Sequence, residues 1–484
     1  MLQGTGSDVG KSVLVAGLCR ALKNRGKVVL PFKPQNMSNN AAVTNDGGEI
    51  GRAQALQAIA AKVSPSVDMN PVLLKPQSEI GAQVIVQGRV LGNYRAEKYH
   101  ELKPLLLEKV LESFAIIGKN ADIVMVEGAG SPAEINLRSG DIANMGFAEA
   151  ANLPVILVAD INRGGVIASI VGTHAVLAPS EKKRIKGFMI NKFRGDKSLF
   201  EDGVSFIEKA TGWMCLGVIP YLTEVGRLPK EDAMELDSLH SKRPKDKKIK
   251  ISVPRLSRIA NFDDLDPLSI EPDVVIEIVD PNQVISADTD IILIPGSKST
   301  ISDLQFLRET GWDIDILGHH RRGGLILGVC GGFQILGTEI EDPQGIEGPL
   351  GKAKGLGLLD VKTTINGKKT LKRVRGNDLY SGENISGYEM HIGVTKGPAL
   401  NRPWLSLEEG RKEGVMSEDG LVMGTYIHGL FESDGFRRAF LRRFRDGKVQ
   451  LNSYENLLEN TLDMLAERLE DHIEMDKLMS LLWR

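Results

Sequence analysis

The sequence predicts an α/β protein built from two doubly wound halves, and three observations carry that prediction. Short apolar runs bounded by turn signals alternate with helical patterns, as buried parallel strands and their crossover helices do. The alternation occurs twice, on either side of a basic, proline-containing stretch. The 52 glycines fall largely at the ends of the apolar runs, where turns and ligand loops are made, so they are not low-complexity sequence.

In the first half the strand runs are KVVLPFK (27–33), DIVMVEG (122–128), PVILVAD (154–160), IKGFMINKF (185–193) and CLGVIPYL (215–222), with helices over 11–24 and 50–62. The stretch SKRPKDKKIK (241–250) holds six basic residues in ten. Nothing aromatic interleaves it, so it reads as a solvated linker rather than a nucleic-acid patch. Beyond it come IKISVPRL (249–256), DVVIEIV (273–279), DIILIPG (290–296), LILGVCG (325–331) and LVMGTYIHG (421–429). TINGKKT (363–369) reads as a β-hairpin turning at Asn366–Gly367. The expected divisions are residues 1–236, a basic linker 237–248, a second domain 249–437 and a helical segment 438–484, with no internal repeat.

A chain of 484 residues has room for two or three domains. With 42% hydrophobic and 25% charged residues it can bury real cores. A formal charge of −3 gives no reason to expect nucleic acid or an anionic membrane as partner. Cys19, Cys215 and Cys330 are too few and too far apart for a disulfide framework or a thiolate zinc site, which fits a reducing cytoplasm. No signal peptide opens the chain, and no apolar run approaches the roughly 20 residues that span a bilayer. Nothing in the sequence sets an oligomeric state.

Two motifs carry chemistry. GTGSDVGKS (4–12) stands before the first helix. Its glycines let backbone N–H groups wrap phosphate oxygens, Lys11 neutralises β/γ charge, and the Ser12 hydroxyl can bind Mg²⁺. The expected nucleotide-binding residues are Gly4, Thr5, Gly6, Ser7, Asp8, Val9, Gly10, Lys11 and Ser12, with ATP and Mg²⁺ as cofactors. Threonine at position 5 breaks the common phosphate-loop spacing; the loop resembles instead the longer G-T-x3-V-G-K-[ST] form of dethiobiotin synthetase-like ATPases. Only Met1–Gln3 precede it, so the strand feeding the loop is short, or the native start lies upstream. The metal also needs carboxylates. Glu127, ending a strand before Gly128–Ala129–Gly130, is the first candidate, Asp46 in NDGGE the second and Asp160 the third; for each the alternative is a helix cap or turn. Ser12, Asp46 and Glu127 form the expected metal set.

The second motif is GLILGVCGGFQILG (324–337), in which Cys330 ends a strand and precedes a short helix. A sharp strand-to-helix turn projects a nucleophile above a sheet and requires small neighbours, and the helix start favours a thiolate. Backbone N–H groups at Gly331 and in PGSKST (295–300) are candidate oxyanion donors. The base must be remote in sequence and near in space. His428 in GTYIHGLF is the best of the eight histidines and His391 the runner-up; His100, His174, His240, His319, His320 and His472 read as structural or solvated. Cys19 and Cys215 read as core. By itself this says thiol hydrolase, acting by acyl transfer, joined to an ATP domain.

GVCGGFQILG with YIHG resembles the class I glutamine amidotransferase domain in its cobyrinate/cobyrate form. FKPQNMSNNA (32–41), GRAQALQA (51–58), MNPVLLKP (69–76), EGAGSPAEINL (127–137) and ADINRGGV (159–166) resemble the cobyric acid synthase family, and the match runs from Met1 to about residue 437. The resemblance implies an ATP- and glutamine-dependent ligase that amidates the b, d, e and g carboxylates of adenosylcobyrinic acid a,c-diamide to give adenosylcobyric acid, so that its partners are small molecules. Cys330 would attack the glutamine amide and His428 shuttle the proton, while a γ-phosphoryl group activates each corrinoid carboxylate. Lys33, Gln35 and Asn36 are candidate contacts to that substrate. Class I domains usually carry a glutamate two residues after the histidine; here that residue is Leu430, and Glu432 is wrongly spaced, so a Cys–His dyad with no named orienting group is expected. Two other readings remain: the same chemistry on another acid, by the related a,c-diamide synthase or another glutamine-dependent ligase such as one acting on a cell-wall precursor, or a non-enzymatic phosphate-loop partner, against which the intact Lys11, Cys330 and His428 argue.

Overall fold

The computed structural model describes residues 1–78, 81–229, 231, 249–348, 351–445 and 453–482. The expected linker 237–248 and His240 lie outside the described residues, as do residues 446–452 and 483–484 of the C-terminal segment.

All five strands expected in the first half form, and they join Leu2–Gly4 in one parallel sheet. Its order is Val29–Phe32, Ile123–Val126, Leu2–Gly4, Val155–Asp160, Ile185–Phe193 and Met214–Pro220. The second and third of these meet through a single bridge, Leu2 to Glu127, where the Gly128 N–H donates to the Leu2 carbonyl at 2.8 Å. The runs are continuously apolar because both faces are covered. Val155 and Leu157 enter a core with Phe32, Phe147 and Val110, whereas Ile156 and Val158 enter another with Leu14, Leu18 and Leu216. The carboxyl ends of these strands share one rim, which brings Gly4, Lys33, Glu127 and Asp160 to the same end of the sheet.

The sequence reading did not anticipate a small sheet beside this one. It comprises Gln35–Met37, Val72–Ser78, Gly81–Val86 and Arg89–Arg95, with the hairpin Ala41–Val43 and Glu49–Gly51 alongside. These strands carry polar and proline residues that blur the period-2 pattern.

In the second half Val274–Val279, Ile249–Pro254, Ile291–Ile294, Leu325–Val329 and Val422–Thr425 form a parallel sheet, with Val415–Met416 added antiparallel at its edge. A second sheet holds Gly351–Lys354, Glu339–Asp342, Lys362–Asp378, Asn384–Lys396 and Ile427–His428. The run LVMGTYIHG therefore serves two sheets, breaking at Tyr426 so that Val422–Thr425 and Ile427–His428 pair with different partners. The TINGKKT hairpin is a correction. Residues 362–378 form one long strand, and Asn366–Gly367 sit in a bulge between Thr364 and Lys369 opposite Asn384–Lys396. The real turn lies at 379–383, where Asp378 accepts from the Ser381 N–H at 2.9 Å and Gly382 takes φ 74°.

The C-terminal helix Tyr454–His472 packs on the first half, not on the domain that precedes it. Leu458, Leu462, Leu465 and Leu469 share a core with Leu14 and Leu18 of the helix Lys11–Asn24. Arg20, fully buried, pairs with Glu459 and Asp463 at 2.8 Å each, as a buried charge must. Leu465→Ala should cost about 2–5 kcal/mol, read as a lower thermal midpoint for the nucleotide-binding half. Among the described residues no helix is long and apolar enough to cross a membrane.

Candidate active sites

The phosphate loop runs from Gly4 into the helix Lys11–Asn24, whose N-cap is Gly10. Gly10 takes φ 94°, and a Cβ there would lie 2.3 Å from Asn191 Nδ2, so conformation and crowding both demand glycine. Lys11 folds back on the loop, donating to the Gly6 carbonyl at 2.9 Å and the Gly130 carbonyl at 3.2 Å. Burial lowers its pKa, opposed by the Glu127 carboxylate. The Ser12 hydroxyl donates to Glu127 at 2.8 Å and to Glu231 at 2.5 Å. Lys33 bonds the same two carboxylates at 2.8 and 2.9 Å, and Gln57 donates to Glu127 at 2.5 Å. Asn36 donates to Glu231 at 3.0 Å, and Gln35 accepts from Tyr99 at 2.5 Å.

Of the expected metal set, the structure brings Ser12 and Glu127 together but not Asp46. Asp46 stands exposed at the tip of the hairpin Ala41–Val43/Glu49–Gly51, accepting a hydrogen bond from Thr44. The flanking glycines make the turn, and the carboxylate caps it. Asp160 is buried but already satisfied by Lys192 at 3.0 Å and the Asn162 N–H at 2.7 Å. The carboxylate that joins Glu127 is Glu231, in LPKED, where no motif announces it. Ser12, Glu127 and Glu231 offer hard oxygen donors, and one or two carboxylates with phosphates and waters is the kind of set Mg²⁺ takes. No group of three or more His, Cys, Asp or Glu side chains able to hold a metal occurs among the described residues.

In the second half, Cys330 adopts φ 53° and ψ −108°, outside the usual range for a side chain with a Cβ. Crowding explains the glycines around it: a Cβ at Gly332 would lie 2.0 Å from the Ile294 carbonyl, and one at Gly328 would lie 2.6 Å from the Gly332 carbonyl. Gly331 abuts Ser297, whose backbone nitrogen is 2.8 Å from where a Gly331 Cβ would be, so the two stretches expected to supply oxyanion donors meet.

His428 lines the same cavity as Cys330. Its Nδ1 lies 2.7 Å from Asp264 Oδ2, the Gly429 N–H donates to Asp264 Oδ1 at 2.6 Å, and Tyr388 stacks on the ring with centroids 5.3 Å apart. Its Nε2 is buried and, among the described residues, held by no group but the Cys330 thiol it faces. Burial alone would lower the imidazole pKa, but the Asp264 carboxylate, joined by Cys330, outweighs it and raises the value to about 10. The structure thus places Asp264 against the expected Cys330–His428 pair, where the sequence named no orienting group. Sequence spacing could not find Asp264, which lies 164 residues before the histidine in the short helix Phe262–Leu265. Leu430 is core, and Glu432 turns away to Arg52 at 3.0 Å. His391 stacks on Tyr426 at 3.8 Å, and burial lowers its pKa to about 4.

Residues 41–57 of the first half reach both sites. Arg52 pairs with Asp263, the neighbour of Asp264, at 3.1 Å. The Ala41 N–H donates to Asn261 at 3.1 Å, and Tyr388 donates to the Ala41 carbonyl at 3.4 Å. The helix Arg52–Ala60 that starts at this contact also carries Gln57, which bonds Glu127. Of the other cysteines, Cys19 is fully buried with its thiol pKa pushed up by burial, and Cys215 is partly buried. His174 stacks on Trp213, His319 bonds the Leu325 carbonyl at 3.2 Å, and His320 pairs with Asp419 at 2.8 Å. His100 is exposed, and the half-buried His472 bonds the Arg468 carbonyl at 2.8 Å.

Residues 1–235 match the CobQ/CobB/MinD/ParA nucleotide binding domain, and residues 250–436 match the CobB/CobQ-like glutamine amidotransferase domain. The chain is 57% identical, over 99% of its length and 98% of the relative, to the cobyric acid synthase of Methylorubrum populi. It is 55% identical to those of Cereibacter sphaeroides and Brucella suis, covering 99% of each and of itself. With a phosphate loop in one domain and a cysteine elbow in the other, matched along almost the entire chain, this protein belongs to the cobyric acid synthase family and is a glutamine-hydrolysing carbon–nitrogen ligase of cobalamin biosynthesis.

Proposed function

We propose that the protein amidates the b, d, e and g carboxylates of adenosylcobyrinic acid a,c-diamide in the cytoplasm, using ATP, Mg²⁺ and glutamine, to give adenosylcobyric acid. The observation that carries this reading is the pairing of an intact Lys11–Ser12–Glu127–Glu231 constellation with an intact Cys330–His428–Asp264 constellation in one chain. MgATP, when bound, supplies the phosphoryl group that turns a carboxylate into an acylating agent.

The protein's own residues do the rest. Lys11, which now bonds the carbonyls of Gly6 and Gly130, would bind phosphate oxygens, and Ser12, Glu127 and Glu231 would hold the metal. Lys33 balances the two carboxylates, and Gln35 and Asn36 are placed to contact amide or carboxylate groups of the corrinoid. In the other domain the proton rests on His428 Nε2, held there by Asp264, and Cys330 Sγ attacks the glutamine amide carbon as the thiolate. The oxyanion then faces the backbone N–H groups of Gly331 and Ser297. His428 gives the proton to the departing ammonia, and water hydrolyses the thioester to glutamate. Asp264 keeps the Nδ1 proton in place and stabilises the imidazolium.

Incubation with ATP, Mg²⁺, glutamine and the corrinoid a,c-diamide should give stepwise replacement of carboxyl by amide in the corrinoid mass spectrum. No change there, with conversion of a corrinoid lacking the a,c-amides, would assign the chain to the a,c-diamide synthase reaction instead. Lys11→Ala should lower amidation by about 10²–10³-fold, measured as corrinoid product per minute, while glutamine hydrolysis persists.

A further inference from the structure

The Cys330 cavity is lined by two ionisable side chains that the triad does not use, Lys298 buried and Glu347 half-buried. Lys298, in PGSKST, is 8% exposed and lines the cavity, and its ammonium makes no hydrogen bond or ion pair with any described residue. An unpaired buried ammonium is costly unless a ligand completes it. Burial lowers its pKa, and the nearby Glu347 carboxylate opposes that shift without forming an ion pair. Glu347 lines the cavity from the opposite loop, which is pinned in place. Its carboxylate accepts from the Thr300 N–H at 2.8 Å, its carbonyl accepts from Ser299 Oγ at 2.8 Å, and its own N–H donates to Asp342 at 2.9 Å.

Two other lysines reach the cavity, but both are committed. Lys75 bonds Glu49 at 2.8 Å, and Lys369 bonds the other oxygen of the same carboxylate. Among the described residues the cavity therefore offers one cation without an ion pair and one separate carboxylate beside a thiol suited to attacking an amide. A ligand that completes all three carries an amide at one end and a zwitterionic amino-acid head group at the other.

We propose that Lys298 and Glu347 form the head-group subsite for glutamine, Lys298 binding the α-carboxylate and Glu347 the α-ammonium. The inference rests on the reading of Cys330 as the glutamine-hydrolysing nucleophile. It assigns to these two residues the discrimination of glutamine from other primary amides.

The test compares hydrolysis of glutamine with that of glutaminamide, which lacks the α-carboxylate, and of 4-carbamoylbutanoate, which lacks the α-ammonium. Wild type should disfavour each analogue by about 10–100-fold in kcat/KM, the size of one charged hydrogen bond. Lys298→Met should hydrolyse glutamine and glutaminamide equally well, and Glu347→Gln should do the same for glutamine and 4-carbamoylbutanoate, mainly through KM. Amidation driven by ammonium, which does not use this cavity, serves as the fold control. Wild-type discrimination in both variants would overturn the subsite, as would its transfer to Lys75→Met or Lys369→Met. Loss of the glutamine requirement for Cys330 itself would instead sink the underlying reading.

Discussion

Cys330→Ser should abolish glutamine-dependent amidation, by about 10³-fold or more, while ammonium-driven amidation continues. The substitution keeps the size of the side chain and the φ 53° elbow, so the loss falls on chemistry rather than folding. A serine hydroxyl is a far weaker acid than a thiol, and His428 cannot make a comparable nucleophile of it at neutral pH. The measurement is corrinoid product formed with glutamine and, separately, with ammonium salt. Failure with ammonium in a folded variant would mean that the two domains do not divide the labour as described.

Asp264→Asn should lower glutamine hydrolysis by about 10²–10⁴-fold with ammonium-driven amidation retained. Asparagine preserves the shape, but its amide can donate to Nδ1 and so favours the wrong imidazole tautomer. A structural marker accompanies the kinetic one. His428 titrates near pH 10 in the folded protein, against about 6.5 unfolded, so the pair's contribution to stability is fully present below pH 6.5 and is lost as pH rises through about 10. The variant lacks that contribution. Its melting temperature should therefore fall below that of the wild type at pH 6.5, and the two should converge as pH approaches 10. A constant gap across that range would show that Asp264 acts only through packing.

Both predictions bear on what the chain alone could disclose. Cys330 was legible because its constraints are local: Gly328, Gly331 and Gly332 are needed where the backbone crosses Ile294 and Ser297, so the nucleophile's turn is written in adjacent residues. The phosphate loop was legible for the same reason, Gly10 being required both by its φ of 94° and by Asn191. Asp46 misled because an acidic residue before a pair of glycines looks the same whether it binds a metal or caps a turn. TINGKKT misled because Asn–Gly marks a bulge as readily as a hairpin.

By itself the sequence determined the two parallel sheets, the phosphate loop, the elbow and the histidine. Each rests on an apolar run or a glycine pattern that neighbouring residues enforce. Only the tertiary structure decided that Asp264 orients His428, that Glu231 joins Ser12 across 219 residues, and that Arg52 links one domain to the carboxylate beside Asp264. Those residues are ordinary acids and bases in their local contexts. They become functional when strand ends from distant parts of the chain meet in a buried place, where charges must find partners.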